Sequence, residues 1–574
     1  MYKLSPQIRA VVCHPSLQYL HAVARQKMQT TMTGISMPKN GIAGRFAELV
    51  LALTVSLMGL PAVAEESRIF DILEYQIEGN TVLPTLAIER AVYPHMGEKR
   101  GIESVRAARD ALEKAYHDAG YLTVVVGIPE QKTGSGTIRL KATEGQVERL
   151  RVGGSRYYSL DEIKAAAPSL AEGTVPDFNQ VQKDLAALSR SPDRRITPVL
   201  RPAKTPGRVE VDLQVKDALP LHGSLELNNR YSANTSKLRL AGNISYDNLW
   251  QKQHKLSIGF QIAPQNLDDA KILSTTYLLP VGRAGQMLAL YGVVSRSNVA
   301  VAGGINVLGH ADIFGARWIS PLPVRTESKK DHSFFHSLTF GVDYKNFKEN
   351  ILFGADTLAT PMRYVPLSLA YNATFQAPGA RTSAGVTTSF GMRGLADKTI
   401  ECTPDNFQDQ FECKRNGAKP NFITFKTSIS HERNLAEPYS LVVKAEGQAA
   451  SGPLISNEQM SAGGADSVRG YLESEALGDY GAALGAELRR AWTSDLGGGL
   501  SGDWHLFTDG AHLRLSEALS GQTSRYTLLA AGVGIRVSSK SGLQANLEMG
   551  YPLRDGPVTK KGDARAQFRL GYEF

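Results

Sequence analysis

From Leu221 to the end of the chain, apolar and polar residues alternate almost one by one. In one typical segment Leu256 and Ile258 alternate with Lys255 and Ser257. Successive side chains of a β-strand point to opposite faces, so this period predicts strands with one apolar and one polar face. Charges at every second position are unusual inside a water-soluble sandwich, but they suit a membrane β-barrel with a lipid-facing band and a hydrated lumen.

We count about sixteen such segments, and an even number is typical of a single-chain bacterial barrel. Their approximate centres are residues 226, 241, 258, 276, 290, 311, 341, 370, 386, 427, 443, 486, 505, 532, 547 and 569. Tight connections such as 248–251 and 538–542 predict turns on the periplasmic side, and long ones such as 395–420 and 451–479 predict external loops. The predicted fold class is a membrane β-barrel of about sixteen antiparallel strands.

The one sustained apolar run, Leu49–Leu60, is too short to cross a bilayer as a helix. It has the length of the apolar region of a signal peptide, Lys39 and Arg45 precede it, and 62–64 reads Ala-Val-Ala. We therefore predict a signal peptide with an extended N-terminal region over 1–64, against the alternative of a short buried helix. The true start is left open among Met1, Met28, Met32 and Met37.

Charge and cysteine content narrow the function further. The net charge is +8 and much of it lies in 1–64, so the remaining chain is too weakly basic to indicate nucleic-acid binding. Cys402 and Cys413 lie in a polar segment, and an exported protein can oxidise such a pair. We predict a disulfide between them rather than a metal site, because no histidine or further cysteine lies nearby to complete a ligand set.

Residues 65–217 differ from the alternating part, because strands and helices are mixed there. In the first half we predict a strand ending at Gly79-Asn80, helices over 83–95 and 103–119, and strands over 122–128 and 137–143. In the second half we predict a strand over 147–152, helices over 161–167 and 178–189, and strands over 197–201 and 208–215. The repeated order indicates an internal duplication of a small α+β unit.

Two stretches of these units resemble a known module. Residues 76–83, Gln-Ile-Glu-Gly-Asn-Thr-Val-Leu, are similar to the start of a POTRA domain, the periplasmic module of the Omp85 superfamily. Residues 191–202, followed by the alternating 209–215, resemble the second POTRA domain of two-partner secretion transporters, which export haemolysins, adhesins and contact-dependent toxins. The resemblance implies POTRA-like domains at 65–145 and 146–217, and an outer-membrane β-barrel at 218–574.

The connection 451–479 carries the most specific motif, Val468-Arg469-Gly470-Tyr471. With sixteen strands it is the sixth external loop. In two-partner secretion transporters this loop enters the barrel and has a Val-Arg-Gly-Tyr or Val-Arg-Gly-Phe tip. The resemblance therefore implies that these four residues form a loop tip inside the lumen, whereas a lone loop arginine is usually solvated.

A second family motif, Phe-x-Asp-x-Gly, is matched in part by Phe507 and Asp509, although the glycine comes one place early. Alternation places both side chains in the lumen if Leu506 faces lipid, and the same count places Glu487 there. A buried arginine needs carboxylate partners. We therefore predict that Asp509, and Glu487 as a second partner, anchor Arg469, against the alternative of unrelated charges in a hydrated lumen.

The last strand ends in a row of large apolar residues on one face: Phe568, Leu570, Tyr572 and Phe574. A terminal aromatic residue that closes an alternating strand resembles the assembly signal of bacterial outer-membrane barrels. Expected partners are therefore the barrel assembly machinery and outer-membrane lipid.

The resemblance implies an outer-membrane transporter of a Gram-negative bacterium, acting as a monomer. Its periplasmic POTRA domains would bind one large unfolded exoprotein, which is then secreted through the barrel. We expect no cofactor, no nucleic acid and no enzymatic activity, since the chain lacks G-x-x-x-x-G-K-[ST], H-E-x-x-H and G-x-S-x-G. Two alternatives remain: a barrel insertase, which usually has more POTRA domains, and a passive porin, which would need neither the POTRA pair nor the arginine loop.

Overall fold

The computed structural model describes residues 69–574, except for 133, 190, 283–284, 303–304, 328–331, 349, 354–355, 360, 396–397, 404 and 495–498. The predicted signal peptide, 1–64, lies outside the described residues. No helix in the described ranges has the length and apolar character needed to cross a membrane.

The first α+β region contains five strands and two helices. In chain order they are β1 (Phe70–Ile72), β2 (Glu74–Glu78), α1 (Thr85–Val92) with a 3₁₀ turn (Tyr93–His95), β3 (Gly97–Arg100), α2 (Ile102–Asp118), β4 (Val125–Gly127) and β5 (Thr137–Thr143). β2, β5 and β4 form a sheet in that order. The chain divides into two compact units, and the smaller one, which contains β1 and β3 as an antiparallel pair, comprises residues up to Glu74, His95–Ala107 and Lys132–Ile138.

Two details of this region differ from the sequence prediction. β3 was not predicted, because its sequence Gly-Glu-Lys-Arg has no alternation of apolar and polar residues. The strand predicted over 122–128 shrinks to Val125–Gly127. The residues before it turn instead, since the amide of Val124 donates to the carbonyl oxygen of Tyr121 at 3.3 Å.

The second α+β region lies in the larger unit. Its elements are β6 (Gln146–Gly153), α3 (Leu160–Ala165) with a 3₁₀ turn (Pro168–Leu170), α4 (Phe178–Leu188), β7 (Arg194–Pro202) and β8 (Arg208–Asp217). β8 is central, parallel to β6 and antiparallel to β7. Buried apolar side chains of the helices and sheet, such as Ile163, Val181 and Leu213, form its core. Asp177 caps α4 by accepting a hydrogen bond from the amide of Asn179.

From Leu221 onward the larger unit is a closed antiparallel barrel. Its strand segments are β9 (Leu221–Asn228), β10 (Arg239–Leu249), β11 (His254–Ile262), β12 (Ala270–Val281), β13 (Gln286–Ala302), β14 (Ile305–Pro321), β15 (Arg325–Glu327), β16 (His332–Lys348), β19 (Met362–Tyr364), β20 (Leu367–Ala377), β21 (Ala380–Phe390), β24 (Ile423–Asn434), β25 (Tyr439–Ala450), β28 (Tyr480–Ser494), β29 (Leu500–Arg514), β30 (Arg525–Ser539), β31 (Leu543–Pro552) and β32 (Arg565–Glu573). β15 continues β14 and β19 precedes β20 on the same partner strand, so the barrel has the predicted sixteen strands. β32 pairs with β9 and closes it.

The alternation of the sequence sorts the side chains between the two faces of the barrel. On β28 and β29, Leu484 and Trp504 are 59% and 56% exposed, whereas Glu487 and Asp509 are 7% and 3% exposed. The apolar residues therefore form the outer, lipid-facing surface and the polar ones line the lumen.

The connections at the two ends of the barrel differ in length, as predicted. Turns such as 378–379 and 540–542 join strands at the end where β9 begins. At the other end, long loops carry three small hairpins: β17 (Asn350–Phe353) with β18 (Asp356–Ala359), β22 (Thr399–Thr403) with β23 (Asn406–Asp409), and β26 (Met460–Ala462) with β27 (Ala476–Gly478). A short helix, α5 (Gln410–Lys414), follows β23.

Candidate functional site

The loop 451–479 connects β25 to β28 and is the sixth long-end connection of the barrel. β26 and β27 pair with each other and form its stem. We call residues 463–475 the loop tip. Val468 and Tyr471 are fully buried and Arg469 is 8% exposed, so the tip is enclosed by the barrel rather than solvated.

The guanidinium of Arg469 binds carboxylates from three barrel strands. Its Nε and Nη2 donate to the two oxygens of Asp509 at 2.7 and 3.0 Å, which is a bidentate contact. Its Nη1 donates to Glu487 at 2.7 Å and to Glu548 at 3.3 Å. The backbone amide of Arg469 also donates to Asp509, at 3.2 Å. Planar bidentate pairs of this kind are among the stronger hydrogen-bonded contacts in proteins.

The ring of Phe507 lies against the guanidinium of Arg469. The Cζ atom of Arg469 lies 3.6 Å from the centre of the Phe507 ring. A desolvated cation–π contact is worth up to about 2 kcal/mol. Arg469, Phe507, Asp509, Glu487 and Glu548 together are called the tip site.

Strand register explains why the tip-site residues meet. Glu487 on β28 lies directly opposite Phe507 on β29. His505 on β29 and Glu548 on β31 both lie opposite Gly534 on β30. A Cβ atom at position 534 would lie 2.2 Å from the His505 ring, so glycine there lets the two neighbouring side chains meet across β30.

Glu487 and Glu548 also contact cationic groups of the barrel wall. Glu487 accepts hydrogen bonds from Arg489 and Arg536, both at 2.6 Å. Glu548 lies 3.7 Å from Nη2 of the same Arg536 and 3.1 Å from Nε2 of His505. These two carboxylates would keep charged partners if the loop tip moved away.

Asp509 differs from the other two carboxylates. Within the part of the chain that the structure describes, its side chain receives hydrogen bonds from Arg469 alone. It is also the most deeply buried of the three, at 3% exposure. Asp509 and Arg469 therefore depend on each other more than any other two members of the tip site.

The shape of the loop tip depends on glycine at one position. Gly470 has a φ of +96°, a conformation that L-residues rarely adopt. A Cβ atom there would lie 3.1 Å from the backbone carbon of Gly550 on β31. The backbone of the tip thus lies directly against the barrel wall.

The neighbours of Arg469 fix the tip through apolar contacts. Val468 and Tyr471 belong to one buried cluster with wall residues that include Ala511 and Leu528. The hydroxyl of Tyr471 also donates toward the carbonyl oxygen of Arg554, at 2.7 Å. All four residues of the predicted motif therefore contact the wall of the lumen.

The displaced glycine of the second motif has a simple structural consequence. Gly510 points to the outer face, where a Cβ atom would meet Leu529 at 3.3 Å. Ala511 occupies the expected glycine position, and its methyl group packs in the cluster that holds Val468 and Tyr471. Alanine at 511 therefore fills space beneath the loop tip.

Sequence reasoning missed Glu548, His505 and Arg536 as neighbours of the site. The available signal was the alternation of faces along the strand: Leu547 and Met549 face outward, so Glu548 between them must face inward. Alternation shows which face of a strand a residue lies on, but not its position along the barrel axis. The cross-strand register was needed to bring β31 level with β28 and β29.

The other predicted site residues are placed as follows. Cys402 and Cys413 are joined by a disulfide, which links β22 to α5. Leu570, Tyr572 and Phe574 are exposed on the outer face, while Phe568 is partly buried. The amide of Phe574 donates to Gly223 at 3.0 Å next to the closing strand pair.

Two groups of side chains have the spacing of metal ligands: Glu487, His505 and Glu548, and Asp193, His222 and Asp247. In the first group Arg469 binds both carboxylates. In the second, the ammonium of Lys255 lies 2.9 Å from Asp247. Cationic side chains of the chain itself thus neutralise both groups, and we assign no metal to either.

Comparison with known protein families identifies this arrangement. The family model described as haemolysin secretion/activation protein ShlB/FhaC/HecB matches residues 207–537, which is more than half of the chain. The chain belongs to this family. A model of the ShlB-type POTRA domain matches residues 70–145 as well. The family prediction is confirmed, and this member of the haemolysin secretion/activation family is an outer-membrane two-partner secretion transporter with periplasmic POTRA structure.

Individual relatives agree with this assignment. The outer membrane transporter CdiB of Dickeya dadantii is 21% identical over 510 residues, which cover 88% of this chain and 87% of that protein. The heme/hemopexin transporter protein HuxB of Haemophilus influenzae is 21% identical over 478 residues, or 80% and 79% of the two chains.

Solved structures share the fold. CdiB from Escherichia coli has a TM-score of 0.58 at 18% identity, covering 94% of this chain and all of that one. BamA from Haemophilus ducreyi, without its first three POTRA domains, has a TM-score of 0.50 at 14% identity, covering 88% of this chain and all of that one. Both similarities concern the fold alone.

Proposed function

We propose that this family member secretes one large exoprotein through its lumen, and that the contact between Arg469 and the tip-site carboxylates holds loop 451–479 in the closed position. The observation that carries the proposal is the tip site, in which one loop arginine contacts three carboxylates on separate strands. A loop fixed in this way fills space through which an extended chain would have to pass. Secretion then requires the loop to leave this position and the contact to form again afterwards, so a tip that cannot dock should both leak ions and fail to support export.

The strength of the contact suits a reversible closure. Removing one partner of a buried ion pair typically costs about 3–5 kcal/mol, and less where water reaches the site. Two of the three carboxylates keep cationic neighbours when Arg469 leaves, through Arg489 and Arg536. The open state would therefore expose mainly one unpaired carboxylate, that of Asp509.

The partner would be received by the POTRA region in the periplasm. In the sheet of the second α+β region, β6 and β7 each pair with β8 and form the two edges. An edge strand has free backbone donors and acceptors that can bind an extended peptide. We expect the exoprotein to bind unfolded at such an edge, with the transporter acting as a monomer after insertion by the barrel assembly machinery, and without a catalytic step.

The experiment compares proteins released by cells that express the transporter with its neighbouring open reading frame. We expect one large protein outside wild-type cells, and at least a tenfold decrease with Arg469→Ala because the loop is no longer positioned. Arg525→Ala is the matched control, since Arg525 is exposed at the start of β30. Equal release by the Arg469→Ala and Arg525→Ala variants would refute the role of Arg469.

A further inference from the structure

A dry apolar cluster lies in the part of the barrel where a hydrated lumen was predicted. Loop 391–422, which connects β21 to β24, contributes Phe411 and Phe422, and loop 451–479 contributes Leu454 and Ile455. All four side chains are at most 4% exposed. The two loops therefore share a hydrophobic core, which we call the outer cap.

The outer cap packs against inward-facing residues of the barrel wall. These include Ile272 near the start of β12, Phe347 near the end of β16 and Tyr364 at the end of β19. All three lie next to external connections, those before β12, after β16 and before β19, so the cap lies toward the external end. Since burial of apolar surface is favourable, the cap would resist hydration of this end of the lumen.

An ion pair joins the two loops beside this cluster. Arg415, directly after α5, binds both carboxylate oxygens of Asp479, with Nη2 at 2.7 Å from Oδ2. Asp479 is fully buried and is the last residue of loop 451–479 before β28. It also accepts hydrogen bonds from the amides of Leu454 and Ser516, at 3.0 and 2.7 Å. One arginine of the neighbouring loop thus supplies the charge that balances a carboxylate buried at the base of the arginine loop.

A second contact holds the same base to the opposite wall. Glu458 is 4% exposed and accepts hydrogen bonds from Lys345 and Tyr364, both at 2.6 Å. Lys345 and Tyr364 belong to β16 and β19, whereas the tip site uses β28, β29 and β31. The loop is therefore fixed at two separate places in the lumen.

We propose that residues 405–422, in the connection from β21 to β24, form an autoinhibitory latch of the transporter: the Arg415–Asp479 pair and the outer cap hold the base of the arginine loop and close the external end of the lumen until the exoprotein passes. The proposal rests on the proposed function, in which loop 451–479 moves. The disulfide between Cys402 and Cys413 joins α5, which directly precedes Arg415, to the hairpin of β22 and β23.

The test is the conductance of the full-length protein in planar lipid bilayers. Arg415→Ala should raise the mean conductance at least threefold, and Arg415→Lys should restore part of the closure because the charge returns without the bidentate geometry. Lys419→Ala is the matched control, since Lys419 is an exposed cation of the same loop. Conductance of Arg415→Ala equal to that of the wild type would overturn the latch.

The same recordings separate this proposal from the previous one. An increase with Arg469→Ala but none with Arg415→Ala would leave the tip site standing and remove the latch. An increase with Arg415→Ala in a transporter that still secretes normally with Arg469→Ala would support the latch and refute the role of the tip site.

A second measurement uses a variant in which Arg415 and Asp479 are unchanged. Leu454 is 1% exposed, so the thiol of the Leu454→Cys variant should react slowly with a membrane-impermeant maleimide. Labelling should become several-fold faster while the exoprotein is being exported, because the cap must then open. Equal labelling rates with and without export would contradict the proposal.

Discussion

The tip and the base of loop 451–479 are each held by an arginine–carboxylate contact, but the two contacts are built differently. At the tip, the loop supplies the arginine and three barrel strands supply carboxylates. At the base, the loop supplies the carboxylate of Asp479 and another loop supplies Arg415. Strands hold their side chains at fixed positions, whereas the position of Arg415 depends on how loop 391–422 folds. The tip therefore docks on a rigid surface, and the base is held only while two loops stay together.

Among substitutions of the tip-site carboxylates, Asp509→Asn should lower secretion the most. This change removes the charge that Arg469 contacts three times, and we expect secretion to fall at least tenfold. Removal of one partner from a buried pair costs about 3–5 kcal/mol where the site excludes water. The measurement is the amount of exoprotein in the medium, with the exposed Asp268→Asn as control. If both variants secrete equally, the tip is not held by Asp509.

An intermediate effect is expected when the backbone of the tip is strained. Gly470→Ala would place a side chain at a φ of +96° and within 3.1 Å of Gly550, so the tip should move off the wall. The strain of about 1–2 kcal/mol corresponds to several-fold higher conductance in planar bilayers. Gly452→Ala is the control, because a Cβ atom there meets no other atom within 4 Å. Unchanged conductance with Gly470→Ala would show that the tip does not limit the pore.

The smallest effect is expected for Glu487→Gln. Arg469 makes one hydrogen bond to Glu487 and keeps Asp509 and Glu548 when that bond is weakened. Secretion should therefore fall only about two- to threefold, on the scale of about 0.5–1.5 kcal/mol for a typical hydrogen bond. A loss as large as that of Asp509→Asn would mean that the three carboxylates act as one unit.

The tip contacts regular strands and the base contacts another loop, and only the strand residues could be predicted from the sequence. Alternation gave all sixteen strands and the faces of Phe507, Asp509 and Glu487, because the side-chain period of a strand is fixed by its backbone. Alternation also places Glu548 in the lumen, but its position level with Glu487 follows from the register of the four strands β28 to β31. That register depends on long-range pairing, which no local pattern contains.

The outer cap could not be predicted by the same reasoning. Phe411 and Leu454 lie in loops with no regular period, far apart in sequence, and a hydrated lumen gives no reason to expect them inside. Arg415 likewise resembles any charged loop residue until Asp479 is found beside it. β3 was missed for a related reason, since its polar sequence pairs through the backbone alone.

A double-mutant cycle of secretion, with Arg469→Ala, Asp509→Asn and the two changes combined, tests the Arg469–Asp509 contact most directly. If Arg469 acts through Asp509, the double variant should secrete about as much as either single variant, because one contact is lost in all three. Such a result would assign the closed position of loop 451–479 to this pair. If the two losses multiply instead, Arg469 and Asp509 act independently, and their contact does not hold loop 451–479.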